Sequence, residues 1–432
     1  MSGPSFERQD GVGQAPSMLQ ALHGLLSIPS VTSGPEGGHP FGPHSAQALD
    51  YVLRLCQSLG FRTQNCQGKV GWAEIGQGED LAAALVHLDV VPAGEGWDYP
   101  PFALTQANGR LYGRGVVDDK GPAIACIYAM KDLLDSGAPL ARRIRIIFGL
   151  AEEGGDWSDM EHYRQTQQAP VFGFTPDGMF PAIYGEKGFA TYQLSLPLAS
   201  SGVEYLEGGQ AENVGADRCF AQVNGQRVEA RGRSCHGSKP WEGDNAISKL
   251  MEQLSGLPVA DWYNRCIGHD LYGERLGCAC RDSQLGPLTV NVGKVRTLED
   301  QIVFWLDIRY PACTTAEDIL SQIQASAAPF GVDTMLEYYQ KPVYMEQDGP
   351  LITALMEAYR QVTGDAAAQP MLLGGGTYAK AMEHIAAFGP MLPGREPTEH
   401  RPNESIALED FLLLREIYRQ AILRLAQLPS PY

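Results

Sequence analysis

Three short apolar runs constrain this chain more than any other feature, because each ends in side chains able to hold a cation. Leu81 to Leu88 is continuously apolar and closes on His87 and Asp89. Ile144 to Leu150 is followed at once by Glu152 and Glu153, and Val171 to Phe174 by Asp177. Apolar runs this short read as strands buried on both faces, as in a parallel sheet. Around them, Leu49, Val52, Cys56 and Leu59 recur at helical spacing up to Gly60, and Ile124, Ile127, Met130 and Leu134 up to Gly137. The alternation predicts an α/β domain: a mostly parallel, mixed sheet flanked by helices.

In open α/β sheets, ligands bind beyond the carboxyl ends of the strands. His87, the Glu152–Glu153 pair and Asp177 all stand at such ends. Asp118 and Asp119 lie in a glycine-framed loop, Gly113 to Gly121, just before a helix. One imidazole among several carboxylates suits Zn2+, Mn2+ or Co2+ better than the all-oxygen sites of Ca2+. Adjacent glutamates in an extended chain point apart, so one can coordinate while the other serves as a base. Taken singly, such a pair is more often two solvated loop acids, and a lone strand histidine is more often a core residue. Their coincidence at successive strand ends reverses that balance.

After Gly188 the pattern changes. Residues 189–199 and 219–231 alternate apolar and polar, which predicts strands with one wet face. Asp244 is the expected cap of a helix carrying Ile247, Leu250, Met251 and Leu254. Strands are expected at Leu288 to Val295, Ile302 to Arg309 and 333–340, with a helix near 315–325. From about 345 the pattern is helical again, and Leu414, Tyr418, Ala421 and Leu425 mark one face of the last helix. The simplest partition is a catalytic α/β domain in two parts, 1–188 and 344–432, interrupted by an α+β domain over 189–343.

Bulk properties narrow the partners. With 51 acidic and 33 basic residues the net charge is −18. Such a surface repels nucleic acid and anionic membranes, which leaves a small-molecule substrate. No run approaches the ~18 apolar residues of a membrane span. Met1 to Ser17 is polar and Gly-rich, without the apolar core of an export signal, and reads as a floppy arm. Nine cysteines in such a chain are expected to be free thiols in the cytoplasm. Cys278 and Cys280 form a close pair that no second pair answers, which argues against a structural zinc site.

Several stretches together resemble one metallopeptidase family. They are His87-Leu-Asp-Val-Val-Pro-Ala-Gly94, Leu111-Tyr-Gly-Arg-Gly-Val-Val-Asp-Asp-Lys-Gly-Pro122, Gly173-Phe-Thr-Pro-Asp177, Pro181-Ala-Ile-Tyr-Gly-Glu-Lys-Gly188 and Glu399-His-Arg-Pro-Asn-Glu404. The family contains carboxypeptidase G, aminoacylase, succinyl-diaminopimelate desuccinylase and carnosine dipeptidase. The nearest likeness is to its dipeptidase V branch, over about Leu22 to Leu414. The resemblance implies a ferredoxin-like lid for the inserted domain and a dipeptidase activity that uses two divalent cations, zinc foremost, with manganese and cobalt as alternatives. By the same likeness, His87 and Asp177 would hold one cation, Glu153 and His400 the other, and Asp118 would bridge them. Asp119 is the less apt ligand, since the family's bridging Asp stands two residues before the Lys-Gly pair.

Asp89 would fix the tautomer of His87, and Glu152 would be the general base. His236, in Ser234-Cys-His-Gly-Ser238, resembles the lid histidine that stabilises the oxyanion, and Asn213 the residue that assists it. Arg309 resembles the arginine that grips the substrate's free carboxylate, a task suited to a guanidinium fork. The run from Gly374 to Tyr378 alone could suggest a phosphate cradle before a helix. In this family Gly375, Gly376 and Thr377 look like the loop whose backbone N–H groups meet that carboxylate. Ala151 and Gly154 depart from the usual Asp or Asn and Ser or Thr around the glutamates. An insert of about 155 residues exceeds the lid of the dimeric relatives and favours a monomer over a homodimer. An N-acyl-amino-acid deacylase and a catalytically silent peptide-binding protein are the rival readings. A Cys235–His236 nucleophile would need adjacent residues to orient toward each other, which they seldom do.

Overall fold

Leu81–His87 forms a strand whose seven residues are all buried, as its apolar run requires when a neighbour pairs on each side. Arg143–Gly149 lies parallel to it, from Leu81 opposite Arg143 to His87 opposite Gly149. Phe172–Thr175 runs parallel on the other side, and Ile385–Ala387 parallel beyond that. Past Arg143–Gly149 come Val70–Ile75 and Arg62–Cys66, both antiparallel to their neighbours. The sheet is thus mixed and mostly parallel. The structure, a computed structural model, describes residues 16–154 and 157–429.

The strands belong to the first of two compact units, built from the chain up to Ala182, Gln347–Pro370 and Thr377 onward. Its helices include Pro43–Ser58, Lys120–Ser136, Pro350–Thr363 and Leu408–Gln427. Lys120–Ser136 is buried almost throughout its first three turns and ends on Gly137 in the left-handed region, a common helix stop. Phe174, Phe180, Phe388 and Tyr418 form an aromatic cluster in this unit's core. Most of the expected N-terminal arm lies outside the described residues. Its last residue, Ser17, instead caps the helix Met18–Leu26 in a reciprocal box with Gln20.

The second unit is Ile183–Glu346 with Met371–Gly376, wider at both ends than 189–343. Its seven-stranded sheet has the order Gln226–Arg231, Arg218–Val223, Tyr205–Gly208, Thr289–Leu298, Gln301–Tyr310, Gly188–Pro197, Asp333–Gln340. The last four strands, with helices Ala246–Gln253 and Ala316–Ala327, follow the β-α-β-β-α-β order of a ferredoxin-like fold. Gly188–Pro197 alternates buried and half-buried residues. Its inward side chains join Val290, Phe304, Leu306 and Ile308 in one core with Trp262 and Tyr263.

Three local expectations need correction. Residues 219–231 are not one strand but a hairpin, because Asn224 and Gly225 both take positive φ and make the tight turn. Asn245, not Asp244, caps the helix: its side chain accepts from the N–H groups of Ile247 and Ser248. After Thr377 the chain makes only a four-residue 3-10 turn, Tyr378–Ala381, in place of the expected helix.

Candidate metal centre

The parallel strands deliver cation-binding side chains to one end of the first unit's sheet. His87 is the last residue of its strand, Glu152 and Glu153 follow Arg143–Gly149 in a turn, and Asp177 stands just past Phe172–Thr175. Asp118 comes from the loop entering helix Lys120–Ser136, and His400 from the loop before strand Ser405–Ala407. Ligating atoms of His87, Glu152 and Asp177 lie within 4.8 Å of one another, as do those of His87, Asp118 and Glu153. His400 Nε2 is 3.0 Å from Asp118 Oδ2 and 3.0 Å from Glu153 Oε1. Asp118 turns its other oxygen to His87, with Oδ1 2.9 Å from Nε2. Six residues expected from the sequence therefore meet in one cluster.

The cluster stands on a buried scaffold. Asp89 is fully buried, and its two carboxylate oxygens accept from the backbone N–H groups of Glu152 and Glu153 at 3.2 and 3.0 Å. Thr32 Oγ1 lies 2.9 Å from Asp89 Oδ2. The nearest oxygen of Asp89 to His87 Nδ1 is its carbonyl, at 3.0 Å, with the carboxylate at 3.5 Å. Asp89 thus orients His87 mainly through the main chain. Asp119 is in neither group of ligating atoms, and its carboxylate accepts the His87 backbone N–H at 3.1 Å. Gly121 must lack a side chain here, since a Cβ would collide with the Val116 carbonyl.

Electrostatics explain what such a cluster wants. Burial, then Asp177, Glu153 and Asp118, push the Glu152 carboxyl well above its ordinary range, against the pull of His87. Burial works against charge on His87, and close packing does so on one side of His400, whose side chain is 53% exposed. Asp118 and Asp89 nevertheless raise His87 well above its usual value, and Asp118 and Glu153 raise His400 to about 11. In a cluster this crowded, proton affinity rises on both imidazoles, Glu152 and Glu153, which offsets the carboxylates' charge, while the two imidazoles hold Asp118 ionised. A divalent cation relieves the same repulsion, and the mixed N and O donors match Zn2+ or Mn2+ chemistry. The residues present fit a metal centre.

Sequence reasoning missed the supports that come from far along the chain. Glu404, 1% exposed, accepts from the N–H groups of Gly115 and Val117 at 3.0 and 2.9 Å and pairs with Arg114 Nη1 at 2.7 Å. It ties the Asp118 loop to the segment carrying His400. That segment is tight: His400 itself sits at φ 61°, a left-handed position that costs a non-glycine residue on the order of 1 kcal/mol. Asp159 Oδ2 accepts from the Leu150 and Ala151 N–H groups and the Tyr378 hydroxyl at 2.6, 3.1 and 2.5 Å, bracing the turn before Glu152. Glu404 does lie inside the family-like stretch Glu399 to Glu404, so a signal existed. Nothing local distinguishes Asp159 from a solvated acid.

The remaining expected residues fall in the second unit, except Thr377. Arg309 is buried at 5% exposure and clasped by Asp307. His236 Nδ1 meets Ser238 Oγ at 2.7 Å. Asn213 meets the histidine loop by its carbonyl, which accepts the Gly237 N–H at 2.7 Å. Gly375 and Gly376 follow strand Met371–Leu373, whereas Thr377 opens the 3-10 turn of the first unit, its hydroxyl accepting the Ala379 N–H at 3.1 Å. Burial pushes the Cys235 thiol up, the opposite of an activated nucleophile. All nine cysteines are free of disulfides. Among the described residues no helix is long and apolar enough to cross a membrane.

Comparison with known proteins agrees with this architecture. The pattern of peptidase family M20/M25/M40 matches residues 83–424. The Bacillus subtilis protein named "Putative dipeptidase YtjP" is 34% identical, over 95% of this chain and 97% of its own. The Staphylococcus haemolyticus protein "Putative dipeptidase SH1171" is 33% identical, over 94% and 96%. Human carnosine dipeptidase 1 shares the fold at a TM-score of 0.62 and 16% identity, covering 95% of this chain and 96% of that one. A two-unit protein with a His, Asp and Glu cluster at the ends of parallel strands defines a metal-using hydrolase. The chain belongs to peptidase family M20/M25/M40, and is a metallopeptidase acting on peptide bonds.

Proposed function

We propose that this metallopeptidase is a dipeptidase of the cytoplasm, acting as a monomer on small dipeptides with a free C-terminal carboxylate. The observation that carries the reading is Asp118, whose two oxygens face two different imidazoles, His87 and His400, at 2.9 and 3.0 Å. A carboxylate so placed suits the shared ligand of a cation pair. His87 and Asp177 would complete one site and Glu153 and His400 the other, for Zn2+ first and Mn2+ or Co2+ next. Bound there, the pair would polarise the scissile carbonyl and acidify a water.

Glu152 lies as near His87 and Asp177 as a ligand would. We assign it the base instead, because a carboxyl whose proton affinity is raised by burial and like charge suits giving a proton back. It would take the proton of the attacking water and pass it to the leaving nitrogen. Asp89 holds the Glu152 and Glu153 backbone and the His87 ring in place meanwhile. His236 would donate to the carbonyl oxygen as negative charge grows on it, with Asn213 supporting its loop. Arg309, and the N–H groups of Gly375, Gly376 and Thr377, would receive the substrate's carboxylate. The names of the curated relatives and of the carnosine enzyme support a dipeptide substrate. The free thiols support a reducing compartment.

The deciding assay sets free dipeptides against N-acetyl and N-succinyl amino acids. Dipeptides should be turned over with the higher kcat/KM. A preference for the acylated substrates would move the assignment to a deacylase, and tight peptide binding without turnover of either would make the chain a binding protein.

A further inference from the structure

In the second unit's sheet, Thr289 pairs with Arg309 and Arg309 with Phe189, while two positions along Asn291 pairs with Asp307 and Asp307 with Thr191. Residues two apart on a strand share a face. The opposite face, through Val290, Leu306 and Ile308, is the apolar core of this unit. On the polar face, Thr289, Asn291, Asp307 and Arg309 are nonetheless 5% exposed or less. A buried Asp–Arg pair is expensive to desolvate, and apolar residues of similar size often stabilise a fold as well or better. This pair calls for a role other than stability.

Its geometry supplies one. Asp307 meets Arg309 along a single edge, Oδ1 2.8 Å from Nε and Oδ2 2.9 Å from Nη2. Only the second contact is a well-aligned hydrogen bond: Nε and Oδ1 have no hydrogen-bond partner. The guanidinium carbon lies 4.7 Å from the Phe189 ring centre, so the plane is fixed as well as the edge. Nη1 takes no part in the clasp and keeps its donors for a second acceptor. The same carboxylate also touches another element. A Cβ on Gly237 would collide with Asp307 Oδ2 and come within 2.9 Å of the Asn213 carbonyl. Gly237 is therefore the point where the loop of His236 rests directly on Asp307.

We infer that Asp307 is a positioning residue: it sets the plane and free edge of Arg309 for the substrate's carboxylate and seats the loop that carries His236. The inference rests on the reading that Arg309 receives that carboxylate. Two effects of removing the Asp307 charge oppose each other. Loss of a neutralising neighbour would leave a stronger cation and tighter binding of an anion. Loss of the clasp would free the fork to rotate and blunt its recognition. The buried, ring-stacked geometry makes the second effect the larger.

The test uses the metal-loaded full chain with alanyl-alanine and its C-terminal amide, read as KM or, where turnover is slow, as competitive inhibition. Arg309→Gln comes first. It should weaken the acid at least about tenfold, the scale of a lost charge-assisted bidentate contact, and leave the amide unmoved. If it does not, the carboxylate reading of Arg309 fails and the inference goes with it. Given that result, Asp307→Asn should weaken the acid about tenfold with kcat changed much less, moving the acid-to-amide ratio toward the Arg309→Gln value. The double variant should be no worse than Arg309→Gln alone, because one residue acts through the other. Gly237→Ala, a loop change that presses on the Asp307 carboxylate and leaves its charge in place, should shift the ratio in the same direction and lower kcat as well. Unchanged metal content reports intact folding of the first unit. An acid preference that survives Asp307→Asn and Gly237→Ala, tighter acid binding, or equal losses for acid and amide would each overturn the role.

Discussion

Around Glu74 a single buried carboxylate meets three guanidinium groups, from Arg62, Arg143 and Arg145, at 2.9, 3.3 and 2.6 Å. Around Glu152 four carboxylates meet two imidazoles within the same unit. Both regions take acids out of water, at a cost that only paired charge and hydrogen bonds can offset. The first carries its own counter-charge on strands: Arg145 reaches Glu74 across the Val70–Ile75 and Arg143–Gly149 pairing, stacked at 4.1 Å on Trp72. It is finished by folding. The second remains short of positive charge when the chain has done all it can. A buried acidic cluster is thus informative about ligands only once the protein's own cations have been counted.

That contrast can be broken in three ways, the most severe first. Stripping divalent ions with a chelator should abolish turnover, and adding back Zn2+, Mn2+ or Co2+ should restore it. It should also lower the melting temperature, since a ligand at 100 times its Kd contributes about 2.7 kcal/mol per site. Full activity in a preparation shown by elemental analysis to be metal-free would erase the distinction between the two regions. Next, Glu152→Gln should cost at least ~10²-fold in kcat while metal content stays normal and thermal stability does not fall, because a repelled buried acid has been neutralised. Near-normal turnover would remove Glu152 from proton transfer. Last, Glu74→Gln should leave kcat and KM within about twofold yet destabilise by about 3 kcal/mol, the scale for breaking a buried ion pair. Urea unfolding measures it, and an unchanged midpoint would mean that the three arginines relax freely into solvent.

The two regions also differ in how much of them could be read from sequence. His87, Glu153 and Asp177 were legible because a buried parallel strand is an unbroken apolar run, and its polar end is where a sheet binds ligands. The alternating strands of the second unit were legible for a similar reason. Asp118 was legible only as one of two adjacent acids, between which the family likeness chose, and His400 needed that likeness outright, since loop residues carry no periodicity. Nothing in the sequence announced the Glu74 cluster: Arg62, Arg143 and Arg145 look like ordinary strand charges until the register sets them side by side. Asp159 was opaque likewise, as its partner Tyr378 lies 219 residues away; Glu404 stood within a family-like stretch, but its bond to Gly115, 289 residues away, was not legible. The helix cap at Asn245 turned on one residue, which is finer than a pattern of caps resolves.

The tether from Glu404 to the Asp118 loop sets a clock on the newborn chain. Five of the six clustered residues have been synthesised by Asp177, but His400 and its anchor come only after the whole inserted unit. At ordinary synthesis speeds that is a delay of about ten to fifty seconds. Through that interval the growing polypeptide has the acids of the cluster but neither its second imidazole nor the carboxylate that ties the two loops together.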